Sequence, residues 1–298
     1  MNESRAKRHH YVPKFYLRMF ADHVNKSRVG VVERHHDILV KDRKSIDRIG
    51  YEDALYDYTV AAVPGSIETE LNRVIETPFS RSDTWRKICT GSYASLDEAD
   101  KVAIYGFARH LQLRNLETLR FIETENTRFQ SGALDGHLTR EEREMHEWIA
   151  ASPDNAHAIF RDGALDTSLP LDVDIVTVMV CRSPVELRTT TNPTLMVSVP
   201  GESSVLGTFF DDLRTWWLSL GRYGGAFVVA GGPIGFSNCD MSAETARMIN
   251  RLYFVQFMTS LSVRYLIADD SDLERDLEWA GYHLGRRTTH GARWERRP

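Results

Sequence analysis

Residues 173–199 read VDIVTVMVCRSPVELRTTTNPTLMVSV. Three runs rich in β-branched residues, 173–181, 186–190 and 194–199, are divided by Pro184 and by Asn192-Pro193, the pattern of short strands separated by turns. A fourth run, 226–230, lies among Gly221, Gly224, Gly225, Gly231 and Gly232. The sequence therefore predicts a sheet region in the C-terminal half, and the long stretch before it reads as helix.

That helical middle begins near Ser66. Ile67, Leu71, Val74, Ile75 and Phe79 mark one face, and Pro78 kinks or ends the first segment. Ser95 with Glu98 three residues on reads as a capping box, from which a helix is expected to run to about Gln130. Residues 102–113 are apolar nearly all round, the mark of a buried helix, yet Arg109, His110, Gln112 and Arg114 sit in or beside them. A buried charge must be paired to be tolerated, so this set needs either a structural carboxylate or an anionic ligand. Two shorter helices are expected over 140–150 and 153–161.

Further out, 28–33 and 38–41 predict an N-terminal β-hairpin with Arg34-His35-His36-Asp37 at its exposed tip. Ser242 is expected to cap a long helix through about Ile267, with Ala246, Ile249, Tyr253, Phe257 and Leu261 facing inward. No Gly/Ser linker or repeat divides the chain. The expected fold is α+β: an N-terminal hairpin, a helical middle, and a mixed sheet in the C-terminal half closed by the long helix. Residues 1–285 are expected to form one domain, and 286–298, with five arginines and Trp294 among few apolar residues, a flexible tail.

The composition sets bounds on function. A 298-residue chain with 42% hydrophobic residues can build a proper core, and a net charge of −5 argues against a surface that traps nucleic acid as a whole, though not against a local basic patch. Cys89, Cys181 and Cys239 show neither a disulfide framework nor a zinc-ribbon spacing, which suits a reducing compartment. The first eight residues lead into no apolar run, and 224–236 is too short to cross a bilayer. A cytoplasmic protein without a membrane segment is expected. There is no Gly-x-Gly-x-x-Gly, phosphate-binding loop, Gly-x-Ser-x-Gly or His-Glu-x-x-His pattern.

The most distinctive motif is Arg8-His9-His10-Tyr11-Val12-Pro13, followed by Phe15, Tyr16 and Phe20. Imidazole titrates near neutrality, so His9 and His10 are candidates for acid/base chemistry, although neighbours on an extended chain point to opposite sides. His9 to Leu17 resembles the His-His-Tyr-Val-Pro-x-Phe-Tyr-Leu signature of a bacterial family of unknown function. The resemblance continues through Glu68 and Glu76, Gln112 and Arg114, Thr190 to Pro193, and Asn250, with Thr191 standing where the family has Asp. It implies where a site lies and supplies no activity.

Two classes of function follow. In the first, the chain is a phosphodiester hydrolase acting on RNA or DNA in phage defence or stress response. His9 and His10 act as acid and base, Arg109 and Arg114 clamp phosphate, and Tyr11, Gln112, Asn192 and Asn250 hold substrate. No cofactor is evident; a divalent metal would draw on a histidine of the pair with Glu68 and Glu76. Arg5, Lys7 and Arg8, with the Arg-rich end and Trp294 for stacking, would add nucleic-acid contacts. In the second class, the same His/Arg pocket belongs to a non-catalytic sensor or interaction module that binds a small anionic ligand or a protein partner. Both place His9 or His10 within hydrogen-bonding reach, or one water, of Arg109, Arg114 or Asn192.

Overall fold

A computed structural model describes residues 8–22, 25–60, 63–134, 136, 138–166, 176–197, 214–230, 235–287 and 291–296. The His-His motif forms β1 (Arg8–His10), and α1 (Lys14–Leu17) starts behind Pro13, whose missing N–H costs nothing at a helix entrance. The predicted hairpin is present as β2 (Arg28–His35) and β3 (Ile38–Ser45). His35 and His36 are exposed at its tip, where His36 has φ 52°, the left-handed geometry that a tight hairpin turn requires. The chain then forms β4 (Tyr51–Asp53), which pairs antiparallel with β1, and the ladder of β5 (Asp57–Val60) with β6 (Val63–Ser66).

The helical middle follows the expected path with different punctuation. α2 (Glu68–Leu71) and α3 (Thr77–Ser80) are joined without a break by a π turn at Asn72–Glu76, and Pro78, which has no N–H to donate, follows closely on that turn. Ser82 caps α4 (Asp83–Cys89) by accepting from Trp85 N–H at 3.1 Å. The expected helix over 95–130 is two helices, α5 (Lys101–Leu113) and α6 (Leu116–Gln130). The capping box is Asp97 with Asp100, not Ser95 with Glu98. Asn115 restarts the chain by accepting from Thr118 N–H at 3.0 Å. α7 (Arg140–Ala151) and α8 (Pro153–Leu165) lie where the sequence puts them.

The C-terminal strands are β7 (Val176–Arg182), β8 (Thr189–Thr190), β9 (Thr194–Val197), β10 (Arg214–Gly221), β11 (Gly224–Ala230) and β12 (Gly235–Asp240). Ser242 caps α9 (Ala243–Thr259) as expected, but the helix stops at Thr259, and β13 (Tyr265–Ile267) occupies the end of the predicted helix. α10 (Leu273–Trp279), β14 (Tyr282–Arg287) and β15 (Ala292–Arg296) complete the fold. The parts of the predicted runs at 173–175 and 198–199, the flanking Gly231 and Gly232, and the leader residues Arg5 and Lys7 lie outside the described residues.

A mixed α+β fold is therefore present, but not one sheet closed by a helix. Besides the β1–β4 and β5–β6 pairs, the strands divide between two open sheets, one of five strands in the order β12-β7-β11-β10-β9 and one of six in the order β14-β15-β3-β2-β13-β8. Among the described residues no sheet closes on itself. β8, β13, β14 and β15 leave the C-terminal half to pair around the N-terminal hairpin, and α9 packs against β8, β9 and β13, across both sheets. The Arg-rich end is likewise built in rather than loose: β15 pairs with β3, and Trp294 is 1% exposed.

The five-stranded sheet separates two cores by strand alternation. Trp216 faces Tyr105 of α5, while its neighbour Trp217 packs in the other core with Tyr253 and Phe254 of α9. α5 lies against this sheet with Ile104, Phe107 and Leu111 buried, while Val102, read as core, is 45% exposed. Gly225 lets β11 pass Trp217: a Cβ there would stand 2.2 Å from the indole.

Candidate functional site

The polar set on α5 splits by helical geometry. Arg109 and Gln112 are three residues apart and share one face, whereas His110 and Arg114 are four apart and share another. The first pair lines a cleft and the second is interior.

Arg114 is fully buried, with every guanidinium nitrogen engaged. Its Nε donates to the Tyr56 hydroxyl at 3.2 Å, Nη1 to Glu76 Oε1 at 2.6 Å and to His110 Nε2 at 2.8 Å, and Nη2 to the His10 carbonyl. Burial opposes the charge of Arg114, but Tyr56 and Glu76 more than compensate and hold it protonated. Burial, with Arg114 adding, pushes His110 well below its ordinary value, so the imidazole is neutral and accepts from the guanidinium.

The two signature histidines sit at this cluster with opposite orientations. His9 is 1% exposed, stacks on Tyr56 with centroids 5.6 Å apart, and accepts the Tyr56 backbone N–H at Nδ1. Its Nε2 lies 3.7 Å from Asp57 Oδ1. His10 is 7% exposed, and its Nε2 is buried without a hydrogen-bond partner among the described residues. Burial pushes it down to about 4; Lys14 and Arg114 add to the shift, while Asp47 and the Ile46 backbone oppose it. Glu68 goes the other way: burial, reinforced by Glu76, pushes its carboxyl up to about 7 against the pull of Arg114 and the His10 backbone. The expected meeting of His10 with Arg114 thus occurs through the His10 carbonyl, not its imidazole. Among the described residues no group of three or more His, Cys, Asp or Glu side chains is disposed to hold a metal ion, Glu68 and Glu76 included.

Tyr11 lies at the far side of the motif. Burial pushes its hydroxyl above the ordinary range, with Thr191 and Arg264 partly offsetting. The Thr190-to-Pro193 segment is a hydroxyl-capped turn: Thr190 Oγ1 accepts from Asn192 N–H at 3.0 Å. Asn250 belongs elsewhere, accepting from Arg188 N–H at 2.8 Å and donating to the Glu186 carbonyl at 2.8 Å. Arg188 is fully buried between Asp270, at 2.6 Å and 2.7 Å, and Asp276, at 2.7 Å. Sequence reasoning missed this second knot, although an arginine in a strand-like run and the acidic stretch 269–278 were its signal.

The other half of the candidate set meets in a cleft of ≈ 910 Å³ whose lining includes Arg109, Gln112, Asn192, Thr194 and Trp216. α5 supplies the first two, the hydroxyl-capped turn Asn192, and the adjoining strands β9 and β10 Thr194 and Trp216. Arg109 donates from Nη2 to Asp166 at 2.8 Å. Its Nε and the indole Nε1 of Trp216 are buried N–H donors without partners among the described residues. Arg120 adds a cation to the lining, balanced by Glu117 and Glu123.

Residues 8–168 match a protein-family model described as Protein of unknown function (DUF4238). The match spans both histidines, Glu68, Glu76 and all of α5, and ends before Asn192. Comparison with curated proteins and with solved structures finds no match.

Proposed function

The chain belongs to this family of unknown function, and from its own geometry we propose that it is a non-catalytic binding module for a small ligand carrying one anionic group and a flat ring, held in the Arg109 cleft. One observation carries this reading: Arg109 and Trp216, which line the same cleft, each hold a buried donor, Nε and Nε1, without a partner among the described residues. An unpaired buried donor costs about 1–3 kcal/mol, which a ligand acceptor would return. Arg109 takes the anionic group, the amides of Gln112 and Asn192 orient the ligand, and the Trp216 indole receives a ring acceptor.

The charge balance favours a small ligand over a nucleic-acid backbone, because Glu117 and Glu123 would repel a run of phosphates. The engagement of Arg114 by Glu76, Tyr56 and the His10 carbonyl supports an interior frame in place of a phosphate clamp. Phage defence or stress response fits such a sensor as well as it fits a hydrolase.

The test is a thermal-shift series with aromatic carboxylates and nucleoside monophosphates on the wild type, Arg109→Ala and His10→Ala, run beside incubation with labelled RNA and DNA with and without EDTA. A ligand-induced rise in Tm that Arg109→Ala loses and His10→Ala keeps is the expected result. Nucleic-acid cleavage that disappears in His10→Ala would replace the sensor by the phosphodiester hydrolase.

A further inference from the structure

A second cleft, of ≈ 790 Å³, opens between the α1 segment and the α3–α4 turn and shares no lining residue with the Arg109 cleft. Arg18, Lys26, Arg81, Arg86 and Arg222 line it, against one acid, Asp22. In a chain whose Asp and Glu (42) outnumber its Lys and Arg (37), this is a local reversal of charge.

The pairing of those groups decides what is left for a ligand. Asp22 is held by Arg43, outside the cleft. Arg86 lies 3.0 Å from Asp83, and Arg222 lies 2.6 Å from Glu186. Arg18, Lys26 and Arg81 are exposed and have no ion-pair partner among the described residues. Three uncommitted cations therefore share one concave space. Phe15 and Trp85, edge to face with centroids 5.0 Å apart, also line it, and an apolar wall beside like charges strengthens their field in the cleft.

From this cleft we infer a second binding site, for a small molecule that carries two or more linked phosphates. Guanidinium forks match phosphate oxygens, and three free cations exceed what one carboxylate or monophosphate needs. The volume lies within the range of small-molecule sites, and all three cations line this one concave space. The inference stands apart from the ligand reading of the Arg109 cleft, since the two clefts share no lining residue.

The cleft contains its own reporter, because Cys89 is exposed on its lining while Cys181 is buried. The experiment measures binding of inorganic triphosphate, ATP and adenosine by calorimetry at low and moderate salt, and follows iodoacetamide labelling of Cys89 by peptide mass spectrometry. Inorganic triphosphate and ATP should bind, adenosine should not, and binding should weaken with salt. Bound triphosphate should slow Cys89 labelling. Arg18→Glu with Arg81→Glu, both exposed, should weaken binding by roughly tenfold or more at an unchanged unfolding midpoint, and single Arg81→Gln by less. ATP binding more tightly than triphosphate assigns the site to a nucleotide, and equal affinity assigns it to the phosphate chain alone. Absence of binding at low salt, unchanged affinity in the double variant, or binding of an RNA oligomer without binding of triphosphate or ATP would overturn the inference.

Discussion

The backbone N–H of Tyr56 donates to Nδ1 of His9 at 2.9 Å, joining β1 to the turn that enters β5. A ring nitrogen that accepts carries no proton, so His9 is protonated on Nε2, toward Asp57 at 3.7 Å. His9→Ala would leave that N–H unpaired in the interior and is expected to cost about 2 kcal/mol in urea denaturation. His9→Asn returns an oxygen acceptor near the place of Nδ1 and should recover at least half of the loss. Equal stability of His9→Ala and the wild type would show that the contact holds nothing.

The pH dependence of stability follows from two opposed groups. His10, at about 4 in the fold against 6.5 unfolded, contributes stability that is present above 6.5 and lost as pH falls through 4. Glu68, at about 7 against 4.5 unfolded, contributes stability that is present below 4.5 and lost as pH rises through 7. Each shift is worth ~3 kcal/mol, and in the shared window the two slopes cancel. Relative to wild type, Glu68→Gln should lose ~3 kcal/mol as pH falls from 7 to 4.5, and His10→Gln should gain a similar amount from 6.5 to 4. Urea denaturation across a pH series reads both, and parallel curves for all three proteins would contradict the assignment.

Trp294 tests the Arg-rich end. It is 1% exposed on β15, which pairs with β3, so Trp294→Ala should destabilise the protein by about 3–5 kcal/mol and broaden or abolish a single thermal transition. A loose tail would tolerate the change within ~0.5 kcal/mol.

Local signals in the sequence were sufficient where one segment carries its own instructions. The hairpin with its His35-His36 tip, the Ser242 cap and the helices of 140–151 and 153–165 follow from turn chemistry, capping and periodicity. Long-range pairing was not legible. The β14–β15 hairpin reads as an Arg-rich coil because its burial comes from β3, some 250 residues away, which no local pattern records. Spacing turns Arg109 and Arg114 to different faces, but which face is interior is set by Tyr56, Glu76 and the His10 carbonyl, all distant in sequence. Arg188 was overlooked because its partners, Asp270 and Asp276, are far from it in sequence.

α5 and its C-terminal cap thus hold a ligand-facing arginine, Arg109, and a structural one, Arg114, on different faces, with the signature histidines attached to the second. Comparing Arg114→Ala with Arg109→Ala in urea denaturation tests it most directly. Arg114→Ala strands Glu76 and the His10 carbonyl in the interior and is expected to lose about 3–5 kcal/mol. Arg109, 27% exposed and paired among the described residues with Asp166, 32% exposed, is expected to change stability by less than about 1 kcal/mol. The reverse order, with Arg114→Ala folding as stably as the wild type, would contradict the account.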